Sequence, residues 1–235
     1  MTKQPKPFKS PPKRFHPKGM TILYEDHDIL VIDKHSGLLA VSNDKETTRT
    51  AFFLLNNYVR KGNQKSPHRA YIVHRLDRET SGVMVFAKTP AVKQFLQESW
   101  ETTVKTYHTI VHGAPPEPEG EITSRLMENS ALRMYSTDDP NKGKLSTTRY
   151  KTLRSTKKYT LLEVEIETGR KNQIRVHLSE AGCPIAGDRK YGERAKGIRR
   201  LMLHATQLDI THPFTKQPMT FRAEVPAAFH SLMNS

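Results

Sequence analysis

The chain is poor in the residues that build covalent or metal frameworks: a single cysteine, Cys183, stands in 235 residues. A lone cysteine excludes an internal disulfide and any Cys-rich zinc or iron–sulfur site, and it fits a reducing cytoplasm. No apolar run approaches the ~20 residues of a membrane helix, and the N-terminus lacks the apolar core of a signal peptide. A soluble, cytoplasmic protein with no membrane partner is expected. Also missing are a Walker-type phosphate loop, a dinucleotide fingerprint and a Gly-x-Ser-x-Gly elbow, so nucleotide hydrolysis, redox and esterase chemistry lose their usual supports. Acid is scarce as well. Asp and Glu number 24 against 38 Lys and Arg, a formal net charge of +14. A positive field of that size favours nucleic acid as partner, with scattered solubilising lysines as the plainer reading of the same count.

The hydrophobic fraction is a modest 35%, yet Leu, Ile, Val and Phe recur in runs, which argues for a folded domain. Residues 1–20 carry Lys3, Lys6, Lys9, Lys13, Arg14 and Lys18, five prolines and no acid. Such a segment reads as a flexible basic arm, either touching phosphates or merely solubilising. The catalytic or binding domain is expected over residues 21–235. Short strand-like runs at Thr21–Tyr24, Ile29–Ile32 and Leu38–Val41 open it. Amphipathic helices are expected over Thr50–Val59 and from Thr89-Pro90 through Trp100, the second with an N-cap and Pro at its first position. Strands follow at Tyr107–Val111 and Thr147–Leu153, and at Leu162, Val164 and Ile166, which alternate with Glu163, Glu165 and Glu167. That last alternation gives one wet face. Gln173–Ala181 reads as a helix stopped by Gly182, before strands at Leu201–Leu208 and Met219–Val225. The sum is an α+β fold with a mostly antiparallel sheet.

The densest chemistry lies in His74-Arg75-Leu76-Asp77-Arg78-Glu79-Thr80-Ser81-Gly82, a charged loop between two apolar strand-like runs. Asp77 between Arg75 and Arg78 would stay ionised and could act as nucleophile or base, while a structural salt bridge is the alternative. His108 and His112 share a strand face but lie too far apart to chelate one ion, so no metal is expected.

The loop is accompanied by Lys105-Thr106-Tyr107-His108-Thr109-Ile110-Val111-His112-Gly113 and by Thr168-Gly169-Arg170-Lys171-Asn172-Gln173-Ile174-Arg175-Val176-His177-Leu178. Gly182-Cys183-Pro184-Ile185-Ala186-Gly187-Asp188-Arg189-Lys190-Tyr191-Gly192 and Leu201–Ala205 come next. In order and spacing these segments resemble the RluA-type pseudouridine synthases over roughly residues 21–226. The resemblance implies the fold of that family's catalytic domain, a curved, mixed and mostly antiparallel sheet with a central basic cleft. It implies isomerisation of selected uridines in structured RNA, a stem-loop of ribosomal RNA (23S type) or transfer RNA. No cofactor and no obligatory protein partner are expected, and the chain should be a monomer.

By the same resemblance, Asp77 matches the catalytic aspartate, Arg175 the basic residue paired with it, and Tyr107 the active-site tyrosine. Arg75 matches the residue that helps extrude the target base. Arg78, Arg170 and Lys171 are candidate RNA contacts, with a solvated turn as the alternative for the last two. Asn172 departs from the histidine common at its position, which touches only the local hydrogen bonds. A non-catalytic RNA-binding or RNA-folding protein, and a metal-dependent nuclease using Asp77, are the competing classes. The first is disfavoured by the Asp77, Tyr107 and Arg175 set, the second by the lack of an acidic cluster around Asp77.

Overall fold

A computed structural model describes residues 8–192 and 197–234. Its frame is one sheet of eleven strands in the order β1-β2-β4-β10-β5-β9-β8-β6-β7, with β11 on β10 and β3 on β4. The strands are β1 Met20–Glu25, β2 Ile29–Lys34, β3 Tyr71–Ile72, β4 Ser81–Ala87, β5 Val104–His112, β6 Glu119–Glu128, β7 Met134–Thr137, β8 Lys144–Ser155, β9 Tyr159–Ile166, β10 Leu203–Thr211 and β11 Pro218–Arg222. Every named pair is antiparallel except β4 with β10. The α+β expectation and the mostly antiparallel sheet both hold.

Four α-helices among the described residues complete the frame: α1 Ala51–Arg60, α2 Pro90–Glu98, α3 Gln173–Glu180 and α4 Ala227–Met233. Ala51, Leu55 and Val59 recur every fourth residue, so one face of α1 enters the main core, while the Thr50 side chain accepts from Phe53 N–H and caps the helix. In α2, Thr89 caps Val92 N–H and Pro90 fills the first turn, where no donor is needed. The central strands are buried on both faces. Leu30, Ile32, Met84 and Phe86 face the core shared with α1, α3 and α4, whereas Ile29, Val31, Val83 and Val85 face α2 and β11. This two-sided burial explains why Ile29–Ile32 is a continuous apolar run.

Leu38–Val41 does not form the expected strand. Its carbonyls serve a helix instead: Leu39 O and Ala40 O accept from Ala51 N–H at 2.8 Å and Phe52 N–H at 3.1 Å, the orphan donors at the start of α1. Trp100 falls in a 3-10 turn, Trp100–Thr102, beyond the end of α2. Strands β6 and β7 and helix α4 were not anticipated from the sequence. Within the expected arm, residues 1–7 lie outside the described residues. Residues 8–19 have fixed partners: the Phe8 ring lies 5.4 Å from Tyr24, Ser10 Oγ donates to Ile22 O at 2.7 Å, and Ile22 N–H donates to His16 Nδ1 at 3.3 Å.

The parallel contact between β4 and β10 sets the position of the charged loop. Gly82 sits at φ +118° opposite Ala205, and a Cβ there would lie 2.1 Å from Ala205 O. Only glycine allows so close an approach, which docks residues 73–80 beside the start of β10 and the start of α3.

Candidate active site

Asp77 leaves the core on the loop between β3 and β4, anchored by Leu76, which is 7% exposed. Its side chain is 26% exposed. Two donors, one from α3 and one from the residue before it, converge on one oxygen: Arg175 Nη1 reaches Oδ2 at 3.2 Å, and Asn172 Nδ2 donates to the same atom. Among the described residues, Oδ1 accepts no hydrogen bond. The carboxylate is therefore fixed through one oxygen, and the other is left without a hydrogen bond among the described residues.

Arg175 owes its position to a second carboxylate. Its Nε donates to Asp188 Oδ2 at 2.7 Å and its Nη2 to Asp188 Oδ1 at 2.8 Å, a bidentate pair that leaves Nη1 for Asp77. Asp188 Oδ1 also accepts from the backbone N–H groups of Lys190 and Tyr191, at 2.8 and 3.0 Å. Burial alone would lower the Arg175 pKa, but the bonds and charge of Asp188, then of Asp77, hold it above the usual value. The guanidinium remains a fixed cation.

Asn172 takes a left-handed conformation, φ 54° and ψ 19°, just before α3, a region asparagine tolerates better than most residues. Its Oδ1 accepts from Tyr191 Oη at 3.2 Å, so its amide nitrogen must face Asp77. The position that departs from the family histidine thus binds the carboxylate directly.

Tyr107 lies in β5 between Val164 and Ala205 and is 8% exposed. Burial first, and the negative charge of Asp77 second, raise its pKa, so its phenol keeps its proton. Arg75, Asp77, Tyr107, Arg170, Asn172 and Arg175 line one narrow cavity of about 70 Å³. Arg75 and Arg170 are exposed at its mouth.

Two expected contacts lie apart from it. Arg78 turns away, with Nε donating to Gly37 O at 3.1 Å, so the arginine next to Asp77 in sequence is not its partner in space. Lys171 is ion-paired with Glu128. Neither Arg75 nor Arg78 pairs with Asp77; among the described residues its ion pair is with Arg175. Local proximity misled here because consecutive loop residues point in different directions.

Beside Asp77 opens a wider basin of about 830 Å³, whose cations Arg133, Arg175, Arg189, Lys190, Arg199 and Arg200 outnumber its acids, Asp77 and Glu79. The fold gathers them from the turn before β7, from α3 and from the segment before β10, so no run of sequence announces them. Beneath the loop, Lys34 is 0% exposed and donates to His35 O at 3.2 Å, Leu38 O at 2.9 Å and Arg78 O at 3.2 Å. Burial pulls its pKa down to about 7 against the opposing charges of Asp77 and Glu79. Lys34 ties the loop after β2 to the loop carrying Asp77.

Away from the cleft, Asp26, Asp28 and His212 lie close enough to hold a metal ion. However, Asp26 Oδ1 already accepts from Asp28 and Ile29 N–H, and its Oδ2 is bonded to Tyr24 Oη and His212 Nε2. The group reads as a turn lock at the far end of β10 from Leu203, which lines the Asp77 cavity.

The site thus sets a cation-rich basin beside a narrow cavity that holds a carboxylate and a tyrosine. Comparison with known proteins agrees with that geometry. Residues 28–180 match the RNA pseudouridylate synthase family. An uncharacterized RNA pseudouridine synthase of Zymomonas mobilis is 35% identical over 90% of this chain and 96% of its own length. The ribosomal large subunit pseudouridine synthase D of Neisseria meningitidis is 35% identical over 93% of this chain, which spans 61% of that relative's length. The solved structure of human RNA pseudouridylate synthase domain containing 4 superposes with a TM-score of 0.74, at 27% identity, over 90% of this chain and 91% of that one. The chain belongs to the RNA pseudouridylate synthase family, of the RluA type that its motifs resemble.

Proposed function

We propose that this protein converts uridine to pseudouridine at chosen positions of structured RNA, with Asp77 as the catalytic carboxylate. The observation that carries the reading is the asymmetric hold on Asp77, whose Oδ2 is bonded by Arg175 and Asn172 while Oδ1 accepts no hydrogen bond among the described residues, in a cavity that Asp77 lines together with Tyr107. Isomerisation breaks the bond between ribose C1′ and uracil N1, turns the base, joins C1′ to C5, and moves a proton from C5 to N1. Oδ1 is free to attack as a nucleophile or to take a proton as a base. Arg175 keeps the carboxylate in register. The Tyr107 ring can stack on the uracil, and its protonated hydroxyl can donate to a uracil oxygen or to water during the proton transfer.

Arg75 at the cavity mouth is suited to fill the space left by an extruded base, and Arg170 to meet a phosphate. The basin cations supply further phosphate contacts. Arg78 and Lys171 would bind RNA only at the rim. Ribosomal large-subunit RNA is the favoured substrate, by analogy with the Neisseria ribosomal large subunit pseudouridine synthase D, with transfer RNA the second candidate. An RNA substrate and a buried, unpaired Cys183 support a cytoplasmic location.

The test maps pseudouridines in total RNA from cells with and without the gene, then repeats the reaction with Asp77→Asn. One or more sites should vanish with the gene, and the variant should restore none. RNA that binds with unchanged affinity and gains no pseudouridine from the wild-type protein would instead support a binding protein.

A further inference from the structure

Arg75 and Tyr107 line two cavities. On one side lies the narrow cavity of Asp77, and on the other a cavity of about 360 Å³ reached past the same Arg75, Tyr107, Ile166 and Gly169. The second cavity is of small-molecule size. Its distinctive residues are His74, Trp100 and Lys105. None belongs to the catalytic set.

The donors in this cavity can be assigned. His74 Nε2 accepts from Val85 N–H at 3.1 Å, so that nitrogen carries a lone pair and the ring proton sits on Nδ1. Burial supports the neutral form, lowering the His74 pKa to about 3. Among the described residues, neither His74 Nδ1 nor Trp100 Nε1 has a hydrogen-bond partner. Lys105 Nζ lies 5.5 Å from the indole centroid and donates to Trp100 O at 3.1 Å and Glu167 O at 3.0 Å, which leaves one N–H. The His74 and Trp100 rings stand 4.4 Å apart at 30°, an aromatic wall. A Cβ on Gly169 would come within 4.0 Å of Trp100 Nε1, so glycine keeps the indole edge uncovered. The cavity therefore offers flat aromatic surface and several donors, with the Gln97 amide oxygen as a side-chain acceptor at its edge. A nucleobase, with carbonyl and ring-nitrogen acceptors and a π-face, complements both features.

We propose that this cavity is a second base subsite, which takes a nucleotide adjacent to the target uridine in the substrate strand, packed against Trp100, with Arg75 as the divider between the two bases. Such a site makes the neighbour's identity part of target choice, because His74 Nδ1–H favours bases with an acceptor at that edge. The assignment rests on RNA being the substrate.

Trp100 is the only tryptophan in the chain, so tryptophan emission reports this cavity alone. The probe is the stem-loop found by pseudouridine mapping, bound to full-length Asp77→Asn protein, together with versions carrying an abasic nucleotide at each neighbour of the target. The intact stem-loop should quench Trp100 emission. One abasic neighbour should abolish the quench and weaken binding about tenfold, the order of a lost base–aromatic stack. With native Asp77, Trp100→Ala should raise KM about tenfold, more than it lowers kcat, and Trp100→Phe should recover most of the loss. Trp100→Phe also guards against misfolding of the alanine variant. A quench that survives every abasic substitution would place backbone rather than a base in the cavity and overturn the assignment. So would bound, correctly isomerised RNA that leaves the emission unchanged. Absence of any isomerisation by the wild-type protein would remove the enzymatic reading itself, a separate outcome.

Discussion

Asp188 grips Arg175 through two parallel bonds, Nε to Oδ2 at 2.7 Å and Nη2 to Oδ1 at 2.8 Å, and so decides which guanidinium nitrogen meets Asp77. Both partners are buried, the Asp188 side chain fully and Arg175 to 7% exposure. In Asp188→Asn the new amide would face the guanidinium with a donor and leave the buried cation half-paired. Breaking one side of a buried pair costs about 3–5 kcal/mol. Urea unfolding should show a loss of that order, and kcat should fall because Nη1 is no longer held. Asp77→Asn, at a partly exposed position, should cost far less stability while removing activity by ~10²–10⁴-fold. Equal stability losses in the two variants would contradict this division between positioning and catalysis.

The Tyr107 hydroxyl makes no hydrogen bond among the described residues, so its removal should leave the fold and the stacking ring intact. Tyr107→Phe is expected to keep KM within a few-fold and to lower kcat by ~10²-fold if the hydroxyl acts in proton transfer. Because burial and Asp77 raise its pKa, the wild-type rate should show no gain from phenolate formation at alkaline pH. A rate that climbs with a phenol-like titration would assign Tyr107 the role of anionic base.

How far the site could be read in the sequence depended on whether its parts were contiguous. The loop around Asp77, the strand of Tyr107 and the turn before Arg175 each stand as one run of residues, and the structure brings them to one cavity. Asn172 reaches Asp77 across 95 residues and Lys34 reaches Arg78 O across 44, while Asp188 pairs with Arg175 across 13. Their roles exist because β4 docks in parallel on β10 at Gly82 and α3 begins beside it. Nothing in the local pattern around Lys34 marks it as a buried cation. The basin arginines share this difficulty, since Arg133 and Arg199 meet only in the folded chain. Strand β6 escaped notice because its burial is shallow, with only Leu126 fully covered, and so its apolar alternation is weak. Leu38–Val41 misled for the opposite reason: it is apolar, but its carbonyls are spent on α1.

Acid should destabilise the protein through His204. The ring is 0% exposed, its Nδ1 lies 2.8 Å from Ser81 Oγ, and its Nε2 has no hydrogen-bond partner among the described residues. Burial, together with the charge of Arg200, lowers its pKa from 6.5 to about 4, despite backbone contacts with Ala223 that raise it. Between those values the unfolded chain binds a proton that the folded chain does not. The stability present near neutrality is therefore lost as pH falls from about 6.5 toward about 4, by up to about 1.4 kcal/mol per pH unit. Urea midpoints across that window should fall more steeply for the wild type than for His204→Asn. Parallel slopes would show that His204 is not the titrating group.

The salt dependence of binding should locate the phosphates. Each phosphate neutralised by Lys or Arg contributes about −0.7 to −0.9 to the slope of log K against log salt, for single strands and duplex respectively. Arg189 and Arg199 line the basin beside Asp77 but form no ion pair among the described residues, so their charges are available to RNA. Replacing both with alanine should flatten the slope by roughly 1.4–1.8. It should also weaken binding similarly for target and unrelated stem-loops, because phosphate contacts carry no sequence information. Lys171→Ala is the matched control. Its charge is already engaged by Glu128, and binding RNA through it would first require breaking that pair, so its slope should change by well under one unit. A slope that moves with Lys171 and not with Arg189 and Arg199 would shift the phosphate path from the basin to the rim of α3. Flattening confined to the arginine variant would run the RNA backbone through the basin and bring the extruded uridine to Asp77 from that side.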